Sequence, residues 1–139
     1  VSRLTVSANT SEKVFTGSLK KMIGNEQPGD VLLYVEFRTK DKLYRNIGYA
    51  VKQKDMNYPK ARISSSVKKV DGGYEITLTS DNFARGVFMS IDGIRNFFED
   101  NYFDILPGES RMVKVNTALT EKEFKEQLKI VSLGDYYGG

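Results

Sequence analysis

Hydrophobic and polar residues alternate along most of the first part of the chain, which is the pattern of half-buried β-strands. The alternation predicts four early strands: one that begins with Leu4 and Val6, then 14–19, 31–37 and 43–51. The polar residues 39–42 separate the last two strands and predict a hairpin turn between them.

Residues 53–60 interrupt this pattern. Pro59 cannot donate a hydrogen bond to a sheet and biases Tyr58 toward extended geometry, so we place a domain boundary here. Beyond it, alternation predicts a second set of strands at 61–70, 74–79, 87–91, 112–115 and 130–133. Two strong turn signals fall between these strands, Asp71-Gly72-Gly73 and Pro107-Gly108.

One helix is predicted near the end of the chain. Thr120 followed by Glu123 matches a capping box, and Phe124 and Leu128 lie on one face of the helix that follows. The tail 134–139 is expected to pack little and to fray. About ten short strands with one short helix are typical of an all-β antiparallel sandwich.

Composition excludes several chemistries. The 139 residues include no Cys and no His, which removes disulfides, thiol nucleophiles, Ser-His-Asp triads and His/Cys zinc sites. The net charge of +3 comes from interspersed charges, and Lys20-Lys21 and Lys68-Lys69 are only doublets, which argues against nucleic-acid binding.

There is no apolar run of membrane-spanning length and no signal-peptide pattern. We expect Val1 not to be the natural start, and the chain to be a fragment or a processed form.

Acidic residues are the first candidates for chemistry. A glycosidase needs two opposed carboxyls, and the densest acidic region contains Glu99, Asp100, Asp104 and Glu109 among aromatic neighbours that could raise a carboxyl pKa. The favoured interpretation is that these acids cap turns in a loop. Two further pairs, Asp81-Asn82 and Asp92-Gly93, are interpreted as turn residues in preference to a cation site.

Tyrosines are the second candidates, because flat aromatic faces can stack on sugars. Tyrosines on strands more often fill the edge of a core and keep the hydroxyl at the surface. Six tyrosines are open to either interpretation: Tyr34, Tyr44, Tyr49, Tyr58, Tyr74 and Tyr102.

Several segments together resemble one family. VFMSIDG at 87–93 and FFEDNYFDILPGE at 97–109 resemble the C-terminal Ig-like domain of β-mannosidases in glycoside hydrolase family 2. The segments 70–90 and 124–137 resemble the hairpin, helix, strand and tail of that domain, and 45–63 resembles the link from the preceding Ig-like domain. The resemblance covers about residues 45–137.

The resemblance implies an Ig-like sandwich at 59–139, preceded at 1–58 by the second half of another Ig-like domain. It implies a non-catalytic module that packs on or supports a catalytic (β/α)-barrel, where two glutamates carry a retaining mechanism outside this chain. No catalytic residue, cofactor or metal site is carried over. The expected partners are the other domains of the parent glycosidase and, through the parent, β-mannoside oligosaccharides; no nucleic acid or membrane is expected. A bacterial periplasmic or secreted location is favoured over the cytoplasm.

The loop motif is predicted to be structural. Aromatic residues are expected to anchor the loop on the sandwich, short polar residues to bond loop amides, and a Pro-Gly turn to start the next strand. The motif comprises Phe97, Phe98, Asp100, Asn101, Tyr102, Phe103, Asp104, Pro107 and Gly108.

Three alternatives remain open. Residues 1–58 would expose strand edges as half a sandwich, so they are expected to fold onto the second half or to self-associate. The chain could also be a stand-alone carbohydrate-binding or adhesion module. The third alternative is a self-contained enzyme built on the acids at 99–109.

Overall fold

A computed structural model describes residues 3–92 and 97–137 of the chain. The chain divides into two compact units, Val1–Met56 and Asn57–Gly139. Within the described residues, no helix is long and apolar enough to cross a membrane.

The first unit contains one β-hairpin and short helical segments. Its elements are α1 (Leu19–Ile23), a 3-10 turn (Pro28–Asp30), β1 (Leu32–Arg38), β2 (Leu43–Tyr49) and a second 3-10 turn (Gln53–Asp55). β1 and β2 pair antiparallel, with Arg38 opposite Leu43. The Thr39 amide donates to the Lys42 carbonyl at 2.8 Å, which closes the turn. The predicted hairpin is therefore confirmed.

The two earliest predicted strands are wrong. The described residues 3–18 contain no strand, so Leu4 and Val6 do not begin one, and Leu19 opens a helix. The amides of Lys21 and Met22 donate to the Ser18 carbonyl and start that helix at the end of the predicted strand. Alternation produces a strand only where a neighbouring strand can satisfy the backbone, and no described segment pairs with residues 3–18.

The second unit is an antiparallel sandwich of two sheets. One sheet has the order β3-β4-β8-β6 and the other the order β7-β5-β9. The elements are β3 (Ile63–Val70), β4 (Gly73–Ser80), β5 (Ala84–Ile91), β6 (Phe97–Phe98), β7 (Phe103–Ile105), β8 (Ser110–Asn116), α2 (Glu121–Gln127), β9 (Leu128–Val131) and α3 (Gly134–Tyr137). The all-β class is confirmed, although the described chain has three short α-helices where one was expected.

The core lies between the two sheets. Alternate residues of β4 and β5 are buried, as their patterns predict: Tyr74, Ile76, Leu78, Val87, Met89 and Ile91. The Tyr74 ring is 1% exposed and stacks on Phe124 of α2, with centroids 4.4 Å apart. Its hydroxyl donates to the Leu119 carbonyl at 2.9 Å, so the one polar atom of this buried ring is satisfied.

The capping box and the tail hold the C-terminal part of the second unit. The Thr120 amide donates to Glu123 Oε2 at 2.9 Å, and Thr120 Oγ1 accepts from the Glu123 amide, so the predicted capping box is confirmed. The tail differs from expectation, because Gly134 is buried in α3. A Cβ at Gly134 would lie 2.2 Å from the Pro59 carbonyl oxygen, so only glycine permits this close approach. Residues 134–137 form α3 where fraying was expected, but the side chains of 135–137 are exposed, as expected of a tail that packs little. Residues 138–139 lie outside the described residues.

Candidate functional site

The predicted loop motif contains two short strands. Phe97 and Phe98 form β6, which pairs with β8, and Phe103 begins β7, which pairs with β5. Phe98 and Phe103 pack against the core, as expected for anchors. Phe97 is 73% exposed, so its expected anchoring role is wrong. Tyr102 is 72% exposed and lies on the outward face of the sheet, against Phe88.

Asn101 binds the central strand through its side chain. Asn101 Oδ1 accepts from the Met89 amide at 2.7 Å, and Asn101 Nδ2 donates to the Met89 carbonyl at 2.9 Å. One carboxamide thus makes both hydrogen bonds that a neighbouring strand would make to Met89. The next residue continues the pairing through its backbone, because the Tyr102 amide donates to the Val87 carbonyl at 2.8 Å.

Asp104 holds a β-bulge in the same strand. The pairing of β5 with β7 shifts register between Ala84 and Val87, and Gly86 has a φ of 58° within this irregularity. Asp104 Oδ1 accepts from the Gly86 amide at 2.8 Å, and Asp104 Oδ2 accepts from Arg85 Nη1 at 2.6 Å. The short polar residues of the motif were expected to bond loop amides; Asp104 and Asn101 instead bond amides of β5, and Asp100 bonds an amide within the loop.

The other acids of the motif also have structural partners. Asp100 Oδ1 accepts from the Asn101 amide at 2.9 Å, and Asp100 forms an ion pair with Arg111. The Arg111 guanidinium lies 5.2 Å from the centre of the Phe103 ring. Asp100 and Asp104 are therefore each bound by an arginine.

The Pro107-Gly108 turn lies where it was predicted. The Glu109 amide donates to the Leu106 carbonyl at 3.0 Å, and Gly108 has a φ of 76°. The Gly108 amide donates to the Ser80 carbonyl at 3.1 Å and ties the turn to the end of β4. Glu99 donates its backbone amide to the Lys114 carbonyl at 2.8 Å, beside β6.

The residues of the two candidate cation pairs that the structure describes are Asp81, Asn82 and Asp92, and each has a structural partner. Asp81 Oδ1 accepts from the Arg62 amide at 2.7 Å, and Asn82 Oδ1 accepts from the Phe83 amide at 2.9 Å. Asp92 forms an ion pair with Lys129, whereas Gly93, the residue that follows it in the candidate pair, lies outside the described residues. Across residues 3–92 and 97–137, no group of three or more acidic side chains could hold a metal ion.

The six candidate tyrosines are scattered. Tyr74 is a core residue, and Tyr49 and Tyr58 are partly buried. In the first unit, Tyr34 donates its hydroxyl to Glu36 Oε2 at 2.9 Å, and Tyr44 lies beside Phe37. The Tyr34 hydrogen bond, followed by that from Arg38, lowers the pKa of Glu36. Of the six, only Tyr102 lies on an outward face of the sandwich.

The two outward faces of the sandwich differ in composition, although both sheets carry exposed apolar side chains, since Phe97 of β6 is 73% exposed. The face of β3, β4 and β8 is polar apart from Met112: Ser64, Ser66, Lys68, Glu75, Thr77, Thr79 and Lys114. The face of β7, β5 and β9 carries a shallow hollow of about 290 Å³, lined mainly by apolar and aromatic side chains: Phe88, Tyr102, Val131, Leu133 and Tyr136, with Gly86 and Ser132. This hollow is the candidate binding site of the chain.

Tyr136 is a site residue that sequence reasoning missed. It lies in α3 and is 73% exposed. The only signal was the pair of adjacent tyrosines at 136–137, in a tail that was expected to fray. Phe88 was assigned to a strand but not to a site, because the partner that stacks on it, Tyr102, lies in the loop before β7.

Comparisons with known proteins agree with the fold. A model of the mannosidase Ig-fold domain family (Ig_mannosidase) matches residues 58–136. No curated protein matches the chain. The crystal structure of β-D-mannosidase from Dictyoglomus thermophilum is similar, with a TM-score of 0.64 and 21% sequence identity. The match covers 79% of this chain and 14% of that one, so the chain spans a small part of that protein.

Proposed function

Because the chain belongs to the mannosidase Ig-fold domain family, we propose that it is an accessory, non-catalytic module of a β-mannosidase-like retaining glycoside hydrolase. The second unit is the C-terminal Ig-like domain of that enzyme and supports a catalytic barrel encoded outside these residues. The observation that carries the proposal is the family match over 58–136. The structural similarity to a β-mannosidase, of which the chain spans 14%, supports it.

The hydrogen bonds of the loop motif support a structural role within this module. Asp100 and Asp104, two of the acids that a self-contained glycosidase would use, are bound by Arg111 and Arg85. Asp104 also accepts from a backbone amide of β5. A carboxylate with these partners is suited to holding the strand, because each of its two oxygens accepts a hydrogen bond from β5.

We propose that the first unit is the second half of the preceding Ig-like domain. Its hairpin exposes apolar side chains, including Val35, Phe37 and Leu43. A two-stranded sheet is marginally stable in water unless other elements bury its apolar side chains. The remaining strands of that domain in the parent enzyme would bury them. Self-association of the chain through residues 1–58 is the alternative.

The size of the natural polypeptide tests the proposal. An antibody raised against this chain is used to probe an immunoblot of the source cells. A band far larger than 15.7 kDa is expected, because the barrel and the preceding domains belong to the same polypeptide. A band at 15.7 kDa would overturn the proposal. Sedimentation of the isolated chain then tests whether the first unit self-associates, because self-association gives an apparent mass that rises with concentration.

Catalysis by the chain itself gives a second test. The isolated chain is expected not to hydrolyse an aryl β-mannoside. Turnover that Asp104→Asn abolishes while the far-UV circular dichroism stays unchanged would contradict the non-catalytic assignment and favour an enzyme built on the acids at 99–109.

A further inference from the structure

We propose that Lys69 prevents the open edge of β3 from pairing with β3 of a second copy of the chain. Lys68 and Lys69 are adjacent in this strand, so their side chains lie on opposite faces of the sheet. Only Lys69 lies on the face that is directed toward the core, and this position is what makes it effective.

The outer edge of β3 carries a long row of unpaired backbone groups. β3 pairs with β4 on one side, and no described strand pairs with its other side. The Thr117 amide donates to the Gly72 carbonyl on the β8 side of β4, which sets the alternation of hydrogen bonds along the sheet. An edge of this kind can accept a strand from another chain. By this alternation, the residues of β3 that direct their amides and carbonyls to the open edge are Ile63, Ser65, Val67 and Lys69.

The other edges of the two sheets are short or blocked. β6 contains 2 residues and β7 contains 3 residues. β9 is blocked at both ends, because the Leu128 amide donates to the Phe124 carbonyl of α2 and the Ser132 amide donates to Asp135 Oδ2 at 2.7 Å. Among the described strands of the second unit, β3 is therefore the longest edge that is open to strand addition.

Lys69 lies on the core-side face of this edge. It is directly opposite Tyr74, which is buried, so the two side chains share one face of the sheet. Ile63 and Val67 lie on the same face and pack against the core. The face therefore continues the core to the edge of the sheet, and a charged side chain stands at its end.

The surroundings of Lys69 agree with this orientation. The hydrogen bond and the charge of Lys125 lower the pKa of Glu121 in α2, and the charge of Lys69 adds to this effect. α2 lies on the core side of the sheet, because its Phe124 stacks on Tyr74. The exposed Lys69 ammonium therefore lies near the acidic first turn of α2, at the rim of the core.

Pairing of two copies through β3 would take Lys69 out of water. The open-edge groups of the two strands match when a two-fold axis passes through Ser66, which places Lys69 opposite Ile63 of the second copy. This contact is on the core side, so the ammonium would lose water and face an apolar side chain. Lys68 would lie opposite Ser64 on the outward face and stay hydrated. A charge directed inward at an edge strand is one means of preventing strand addition.

Sedimentation equilibrium of the complete 139-residue chain tests the proposal with two matched variants. Lys69→Val and Lys68→Val remove the same charge and introduce the same strand-forming side chain at adjacent positions. We expect Lys69→Val to raise the association constant at least about tenfold over that of the parent chain, and Lys68→Val to leave it unchanged. Any self-association through residues 1–58 is common to the parent and the variants, so it cancels in this comparison.

Two further variants identify the cause of the association. Lys69→Thr introduces a polar side chain with the shape of valine, and it should also associate, because the charge is what prevents pairing. Ser65→Pro, added to Lys69→Val, should restore the association constant of the parent. Proline at this position removes an amide that is directed to the open edge and keeps the hydrogen bonds to β4.

Three results would overturn the proposal: an unchanged association constant in Lys69→Val, equal association of Lys68→Val, or association that Ser65→Pro does not reverse. Association of Lys69→Val without that of Lys69→Thr would assign the effect to a new apolar contact and would overturn it as well. Circular dichroism and thermal unfolding of each variant check that the fold is kept.

Discussion

Replacing Asn101 with alanine tests whether a single side chain completes the central strand. Asn101→Ala removes both hydrogen bonds to Met89, at 2.7 and 2.9 Å, and leaves its amide and carbonyl without these partners. Met89 is 1% exposed, so water reaches this part of the strand poorly. A buried polar group left unpaired costs about 1–3 kcal/mol. For the two groups together, we expect a loss of about 2–6 kcal/mol in the free energy of unfolding.

Chemical and thermal unfolding of the second unit measure this loss. For a unit of this size, the midpoint of thermal unfolding should fall by at least about 8 °C. Hydrogen exchange followed by mass spectrometry should show faster exchange in β5, at the Met89 amide in particular. Both readouts follow from the same two bonds, so they should change together.

Two further variants separate hydrogen bonding from shape. Asn101→Asp keeps the size of the side chain but removes the donor to the Met89 carbonyl, so it should destabilise as well. Asn46→Ala removes an exposed asparagine on β2 of the first unit and should leave the unfolding of the second unit unchanged. If Asn101→Ala changes the free energy of unfolding by less than about 0.5 kcal/mol, the side chain does not complete the strand and the reasoning fails.

Three other predictions address the anchors of the second unit. Phe103→Ala should lower the free energy of unfolding by about 2–3 kcal/mol, because the ring packs against the core. Phe97→Ala should change it by less than about 0.5 kcal/mol, because that ring is exposed. Equal effects would contradict the difference in burial between the two rings. Phe124→Ala should cost about 3–5 kcal/mol in urea unfolding, because the ring is fully buried and stacks on Tyr74, and a smaller loss than that of Phe103→Ala would refute this. Hydrogen bonds in the capping box lower the pKa of Glu123. The stability that Glu123 contributes is therefore present above its unfolded pKa and is lost as the pH falls through its folded pKa. Glu123→Gln should make unfolding less sensitive to acid, and an unchanged dependence of stability on pH would contradict this prediction.

Local patterns predicted the regular elements of the second unit well. The two-residue turn at 71–72, the buried faces of β4 and β5, the Pro107-Gly108 turn and the capping box all follow from rules that span a few residues. In each case the physical cause is local: turn residues tolerate the backbone conformation, and alternate side chains face one core. The resemblance to mannosidase Ig-like domains is likewise confirmed by the family match at 58–136.

Long-range contacts set the parts that were not predicted. β6 and β7 carry no alternation, because Phe97-Phe98 and Phe103 sit in a run of aromatic and acidic residues, and these strands form where a neighbouring strand accepts them. The Asn101 contact joins residues 12 positions apart, and sequence alone does not show which amide a side chain will reach. Conversely, Leu4 and Val6 alternate correctly but have no neighbouring strand among the described residues.

The close approach of Gly134 to Pro59 joins two segments near opposite ends of the second unit. Because these segments touch, the two ends of the unit lie at one corner. Domains with adjacent ends can be inserted into, or removed from, a larger polypeptide with little distortion of what remains. This geometry makes the second unit a candidate for circular permutation, with new ends opened at the exposed turn 71–72. Any side chain larger than hydrogen at Gly134 would separate these two segments.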